Sequence, residues 1–275
     1  MTTDVLFNGR PESAAWTAGR GLHYGDGVFR TCLIYRRQVI DITKQQNKLF
    51  DDASALNLSL RVARACMRDA RSLAARHESG VLKILLWRGG EQRGYRPSSA
   101  AADRLLIRYT LPKWNKANWI AGVRAIRSPV TLAAQPRLAG IKHLSRLEQV
   151  LASAGWARGV SEAIQCDEDG HPICGTRANL FWISRGALYT PALKNCGVAG
   201  VMRDKVLELA ETLRIKRRIG RWSWSSFENA DEAFITNSLI GIWPLRAVGN
   251  RRWPAPGPVT HTLMIALKHP GIAGA

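Results

Sequence analysis

Cys174-Gly175-Thr176-Arg177-Ala178-Asn179-Leu180-Phe181-Trp182, then Tyr189-Thr190-Pro191, then Gly197-Val198-Ala199-Gly200-Val201-Met202-Arg203 is the stretch that decides how this chain folds. Leu180 to Ile183 is a short apolar run bounded by turn residues, which predicts a strand. Met202 to Leu213 carries apolar residues at helical spacing behind Gly197 and Gly200, which predicts a helix entered from a glycine-rich turn. Such glycines let backbone amides approach an anion, and the first helical turn offers N–H groups with no partner inside the helix, so the junction suits a phosphate. By itself the segment is equally an ordinary strand, turn and capped helix.

The alternation of strand and helix extends outward from there. Val28 to Tyr35 and Val39 to Ile42, joined by Arg36-Arg37-Gln38, predict a hairpin. Lys44 to Leu56 and Leu60 to Arg76 predict two helices, with Ser59 near a cap position. Val81 to Trp87 and Arg104 to Leu111 predict strands joined by a long polar loop with Gly89, Gly90, Gly94 and Pro97, a natural place for substrate contacts. Residues 113–119 show neither period and predict a linker, dividing the chain into an N-terminal α/β domain (1–112) and a C-terminal cofactor-binding domain (120–275). In the latter, Ser145 to Arg158 predicts a helix and Ala163 to Cys166 a strand. The strand-GxGxxG-helix unit of a dinucleotide fold is missing, so a nicotinamide cofactor is not indicated.

Composition narrows the class. The chain has 275 residues, 46% hydrophobic and 22% charged, which excludes a disordered or low-complexity protein. Five scattered cysteines (Cys32, Cys66, Cys166, Cys174, Cys196) lack zinc-site spacing, so no metal is expected and a reducing cytoplasm fits. No charged segment followed by an apolar one opens the sequence and no 18-residue apolar run occurs, so neither export nor a membrane span is expected. The net charge of +19 is spread along the chain. Its tightest cluster, Arg214, Lys216, Arg217, Arg218 and Arg221, alternates with Leu213, Ile215 and Ile219 like a strand with a solvated face. No nucleic-acid motif accompanies it, which points to a small anionic substrate and not to specific nucleic-acid binding. Ten tryptophans, Trp87, Trp156, Trp222 and Trp243 among them, are expected to fill cores and interfaces.

Two further segments bear on chemistry. In Ala139-Gly140-Ile141-Lys142-His143-Leu144-Ser145-Arg146-Leu147-Glu148-Gln149, a lysine stands at a loop-to-helix junction among apolar residues, where desolvation frees an amine for Schiff-base chemistry. Alone it would be a surface lysine, and His143 beside it a tuning group or a structural histidine. In His23-Tyr24-Gly25-Asp26-Gly27-Val28-Phe29-Arg30-Thr31, two glycines bracket an acid before a strand, which locally is only a turn.

Together and in this order, the three segments resemble the class IV aminotransferase family. Its members carry YGDGVFE near the start, a lysine binding pyridoxal phosphate near the middle, and EGxxxNLF followed by TP and GVxGxxR. The resemblance runs from about Val5 to Arg246. It implies a two-domain α/β (α+β) fold with the cofactor between the lobes, and a homodimer. It implies that Lys142 is catalytic and forms an aldimine with pyridoxal 5'-phosphate, whose phosphate is held by the amides of Val201 and Met202 and the hydroxyl of Ser238. The run Leu138 to Leu151, with Arg88-Gly89-Gly90 and Arg93-Gly94-Tyr95, is similar to the lyase branch of the family, which releases 4-aminobenzoate and pyruvate from 4-amino-4-deoxychorismate. Substrate contacts implied are Tyr24, Arg30, Arg88, Arg93 and Asn237. Arginine suits planar carboxylates, although each arginine is equally a solvated surface residue.

Two positions depart from the family pattern. Cys174 aligns with a glutamate that faces the pyridine nitrogen, and Lys48, in Gln45-Gln46-Asn47-Lys48-Leu49, aligns with a phosphate-binding arginine. Lysine still offers phosphate a point charge. A thiol keeps the ring nitrogen protonated less well than a carboxylate, which weakens transamination to branched-chain or D-amino acids more than an elimination driven by an aromatic product. A cofactor-poor paralogue is the remaining alternative.

Overall fold

The hairpin predicted near the start is present and seeds a six-stranded sheet. The computed structural model describes residues 2–11, 19–90, 94–97 and 99–273. They divide into two units, one of residues 1–113 with 141–145, the other of 114–140 with 146–275.

In the first unit, strands β1 (Thr2–Phe7) and β2 (Arg10–Pro11) and the short helix α1 (Arg20–Tyr24) precede the hairpin β3 (Gly27–Tyr35) and β4 (Gln38–Val39). Helices α2 (Ile42–Ala55) and α3 (Leu60–Ala74) follow, then β5 (Ser79–Arg88) and β6 (Ala102–Tyr109). The antiparallel strands run β2-β1-β6-β5-β3-β4. Ser59 caps α3 as expected, its hydroxyl accepting from the Val62 amide at 3.4 Å. Strand period puts Val28, Arg30, Cys32 and Ile34 on one face, where three of the four join Leu49, Ala53, Met67 and Ala70 of the helices in the core. The fourth, Arg30, is charged and must find its partner inside.

The second unit starts with α4 (Ala117–Ile120), one turn inside the expected linker, then β7 (Val123–Arg127) and α5 (Leu147–Ser153). Strands β8 (Val160–Cys166), β9 (Pro172–Gly175), β10 (Asn179–Ser184) and β11 (Ala187–Pro191) lead to α6 (Val201–Thr212). After it come β12 (Arg217–Gly220), α7 (Trp224–Glu228), β13 (Glu232–Asn237), β14 (Gly241–Val248), β15 (Arg251–Arg252), α8 (Pro258–Leu267) and α9 (Pro270–Ala273). The sheet runs β12-β11-β10-β13-β14-β7-β8-β9, with β15 on β14; β9 also pairs with β10, so the path from β10 to β9 closes on itself. Phe181, Trp182, Phe227, Phe234 and Trp243 fill its core.

Three expectations need correction. The helix predicted over Ser145 to Arg158 spans only Leu147–Ser153, because Ala154 is extended and Gly155 takes φ +72°. The basic cluster near Arg217 forms an edge strand with solvated arginines only over Arg217–Gly220, where Ile219 is exposed too, while Ile215 packs on the core ahead of it. Residues 141–145, which sequence order puts in the second domain, lie in the first unit: Lys142 O accepts from the Phe29 amide and Gly27 O from the Leu144 amide, both at 2.9 Å. Among the described residues no helix is long and apolar enough to cross a membrane.

Candidate active site

Within the first unit, the segment carrying Lys142 is laid against the start of β3 by those two bonds and by the bridge between Val28 and His143. The Lys142 amide donates to Asp52 Oδ2 at 3.3 Å, and its Nζ stands 4.5 Å from the centre of the Phe29 ring. Lys142 is half-buried, with its backbone clamped on both sides, so the side chain projects from a fixed root.

Asp52 is the hub of this arrangement and is 1% exposed. Besides Lys142 it accepts from Arg30 Nη1 at 3.2 Å and pairs through Oδ1 with Lys48 Nζ. Arg30 is 3% exposed and also donates to Gln45 Oε1 at 3.2 Å. α2 turns Gln45, Leu49 and Asp52 to the face that meets Arg30, as helical spacing requires. Two cations thus share one carboxylate. Arg30, expected at a substrate carboxylate, is occupied by an internal acid because β3 places it on the core face.

The Tyr24-Gly25-Asp26-Gly27 turn organises the loop after β5. Asp26 Oδ2 accepts from both Arg20 Nε and Arg88 Nε at 2.9 Å. Arg20 reaches the carbonyls of Gly94 and Tyr95, and the Tyr24 hydroxyl accepts from the Gly94 amide at 3.0 Å. Arg88 also donates to the carbonyls of Leu56, Asn57 and Ser99. Its guanidinium is thereby spent on the protein, which makes it a structural arginine and not a free carboxylate clamp. Arg93 lies outside the described residues.

In the second unit, α6 begins at Gly200 without a side-chain cap, leaving its first amides, Val201 and Met202 among them, to the outside. A side chain at Gly200 would collide with Asn179 Oδ1, so only glycine lets the helix start this close to β10. Asn179 Nδ2 donates to Val198 O at 2.7 Å and fixes the approach. Ser238 follows β13 and is half-buried. Asn237, expected to touch substrate, closes its own turn: Oδ1 accepts from the amides of Leu239 and Ile240, and Nδ2 donates to Arg177 O.

Cys174 is buried, and desolvation, with smaller contributions from Cys196 and Glu162, pushes its thiol well above the ordinary range, so it stays neutral. Two buried polar residues of β8 carried no sequence signal. Glu162 accepts from the Thr176 amide and hydroxyl at 2.8 and 2.6 Å, and burial raises its carboxyl above the usual range. Gln165 lies directly opposite Cys174. Elsewhere Asp167, Asp169 and His171 cluster on the β8–β9 turn, where Arg221 pairs with both acids.

The Amino-transferase class IV family description matches residues 27–248, and the chain belongs to that family. Two similar proteins are lyases. The chain is 32% identical over 243 residues to the aminodeoxychorismate lyase of Vibrio harveyi, covering 88% of this chain and 90% of that one. The crystal structure of 4-amino-4-deoxychorismate lyase from Pseudomonas aeruginosa superposes with TM-score 0.93 at 35% identity, covering 98% and 99%. A T.th. branched-chain amino acid aminotransferase, solved with pyridoxamine 5'-phosphate, shares the fold at TM-score 0.80 and 21% identity, covering 100% and 97%.

Proposed function

We propose that this chain is an aminodeoxychorismate lyase, a pyridoxal-phosphate enzyme converting 4-amino-4-deoxychorismate to 4-aminobenzoate and pyruvate in folate biosynthesis. The observation that carries this reading is Lys142, a half-buried amine on a backbone clamped by Phe29 and Asp52. Near full-length similarity to two lyases favours elimination over transamination.

The residues present fit the cofactor. The uncapped start of α6, with no room for a side chain at Gly200, is a phosphate cradle in which the amides of Val201 and Met202 would take the anion, with the Ser238 hydroxyl beside them. In the first unit Lys142 would carry the cofactor, and Lys48, one of two cations on Asp52, supplies a point charge. When bound, pyridoxal phosphate supplies an electron sink for the substrate carbon that bears nitrogen. Lys142 Nζ takes the proton from that carbon and returns one to the departing enolpyruvyl group, completing pyruvate. The neutral Cys174 thiol provides less support to a protonated ring nitrogen than a carboxylate would, which handicaps transamination more than formation of an aromatic ring.

With Arg30 and Arg88 committed internally, the substrate carboxylates fall to Arg93 and the loop that Tyr24 and Arg20 hold in place. The +19 charge steers the dicarboxylate substrate. Leu147, Val150 and Leu151, 75%, 60% and 61% exposed at helical spacing on α5, supply an apolar face for a homodimer. Five free, buried cysteines fit a cytoplasmic location.

The test is absorbance and pyruvate release. Protein purified with pyridoxal phosphate is expected to show a band at roughly 410–430 nm, tuned by its surroundings, and to release pyruvate from 4-amino-4-deoxychorismate; Lys142→Ala is expected to lose both. A band with conversion of 2-oxoglutarate but no pyruvate would instead mark a transaminase. No band at any cofactor concentration would leave a cofactor-poor paralogue.

A further inference from the structure

Direct partners on neighbouring strands share a face of a sheet, and in the second unit they form a row: Gln165 opposite Cys174, Cys174 opposite Asn179, Asn179 opposite Thr236. Asn179 belongs to the mouth of α6, since it bonds Val198 O and stands where a Gly200 side chain would be. One end of the row is therefore the phosphate end. With strands about 4.8 Å apart, Cys174 lies about one spacing and Gln165 about two, roughly 10 Å, from Asn179 along the row.

That is the course the pyridine ring follows if its nitrogen faces position 174, a premise that rests on the function proposed above. A thiol at this position ends short of where a glutamate would place its carboxylate. Gln165, on the same face one strand further, is 0% exposed. Its Nε2 donates to Glu148 O at 3.5 Å, while Oε1 has no hydrogen-bond partner among the described residues. A fully buried amide oxygen without a donor lacks a partner that a bound group can supply. Glu162 does not fill the role: it shares the opposite face with Ile164 and Gly175, where a Cβ on Gly175 would lie 2.7 Å from its carboxyl carbon, its Oε1 accepts from Thr176, and its Oε2 pairs with Arg177 Nε at 3.8 Å.

We propose that Gln165 is the hydrogen-bond partner of the cofactor's ring nitrogen, its free Oε1 accepting from the protonated ring N–H, a neutral amide on β8 replacing the carboxylate that position 174 lacks. The ring proton is then held by a hydrogen bond without a counter-charge, less firmly than a carboxylate would hold it, which handicaps the long-lived carbanion of transamination more than elimination to an aromatic product.

Binding tests this independently of turnover. Dissociation constants of the purified protein are measured for pyridoxal phosphate and for its deaza analogue, in which C–H replaces the ring nitrogen. Wild type is expected to prefer pyridoxal phosphate by roughly three- to tenfold, the worth of one hydrogen bond. Gln165→Leu is expected to bind the two alike, and Gln165→Glu to strengthen the preference and shift the pH profile of the cofactor's absorbance. Equal discrimination by wild type and Gln165→Leu, or none by wild type, overturns the assignment while leaving the lyase reading standing. Failure of wild type to bind pyridoxal phosphate removes both. If melting shows Gln165→Leu unfolded, the near-isosteric Gln165→Met takes its place.

Discussion

Replacing Asp52 exposes what holds the root of Lys142. Its carboxylate is 1% exposed and serves Arg30, Lys48 and the Lys142 amide together. Lys48, at 14% side-chain exposure, can turn toward water, but Arg30, between Val28 and Cys32 on the core face, cannot. Asp52→Ala strands that cation with Gln45 alone, and breaking a buried pair from one side costs about 3–5 kcal/mol. Asp52→Asn keeps an acceptor and loses the charge, for about 1–3 kcal/mol. With a urea slope of about 1–3 kcal/mol/M, the alanine variant's unfolding midpoint should fall by about 1–5 M. Circular dichroism through a urea titration reads this. The double variant Arg30→Met, Asp52→Ala removes the stranded charge and should recover most of the loss, since apolar replacement of a buried pair is often neutral. An unchanged midpoint for Asp52→Ala, or a double variant no more stable than the single, would refute the view that Arg30 depends on this carboxylate.

Three further outcomes are expected. Arg88→Ala removes charge-assisted bonds to Asp26, Leu56, Asn57 and Ser99 and should cost about 2–4 kcal/mol while raising KM more than it lowers kcat, with faster proteolysis in residues 94–101; a resistant loop would show that Arg88 does not hold it. Because burial raises the Glu162 carboxyl, the folded chain keeps a proton that the unfolded chain releases near its ordinary value of about 4.3. Its contribution is whole below that value and is lost as pH rises through the folded one, so melting temperatures of wild type and Glu162→Gln should draw apart between pH 4 and 8, with wild type losing ground; parallel curves would contradict the raised value. Leu151→Glu places charge on the exposed α5 face and should convert a dimer to monomer in light scattering, whereas an unchanged mass would put the interface elsewhere.

Much of this is legible in the residues because local signals agree with the fold. The hairpin around Arg36-Arg37-Gln38, the Ser59 cap and the glycine-led α6 follow from turn, cap and period rules that need no distant partner. Lys142 and Cys174 stand out by their place in motifs. The internal role of Arg30 is hidden because its sequence neighbours give no sign of Asp52, which α2 brings to it from another element. Arg88 is hidden similarly: its partners come from α1's turn, the α2–α3 connection and a loop. Gln165 and Glu162 sit in an apolar-looking strand, and only the register with β9 shows that one faces Cys174 and the other Thr176.

The excursion of residues 141–145 into the first unit bears on how the chain is made. A ribosome that has released residue 113 has delivered every strand of the six-stranded sheet, yet Asp52 still lacks the Lys142 amide and Gly27 O the Leu144 amide. The first unit is completed by a segment that interrupts the second, so a gene cut at the apparent linker would yield an N-terminal fragment without Lys142. Tethering rather than simple succession completes this unit: Lys142, proposed above to carry the cofactor, is synthesised after every strand of the sheet it joins.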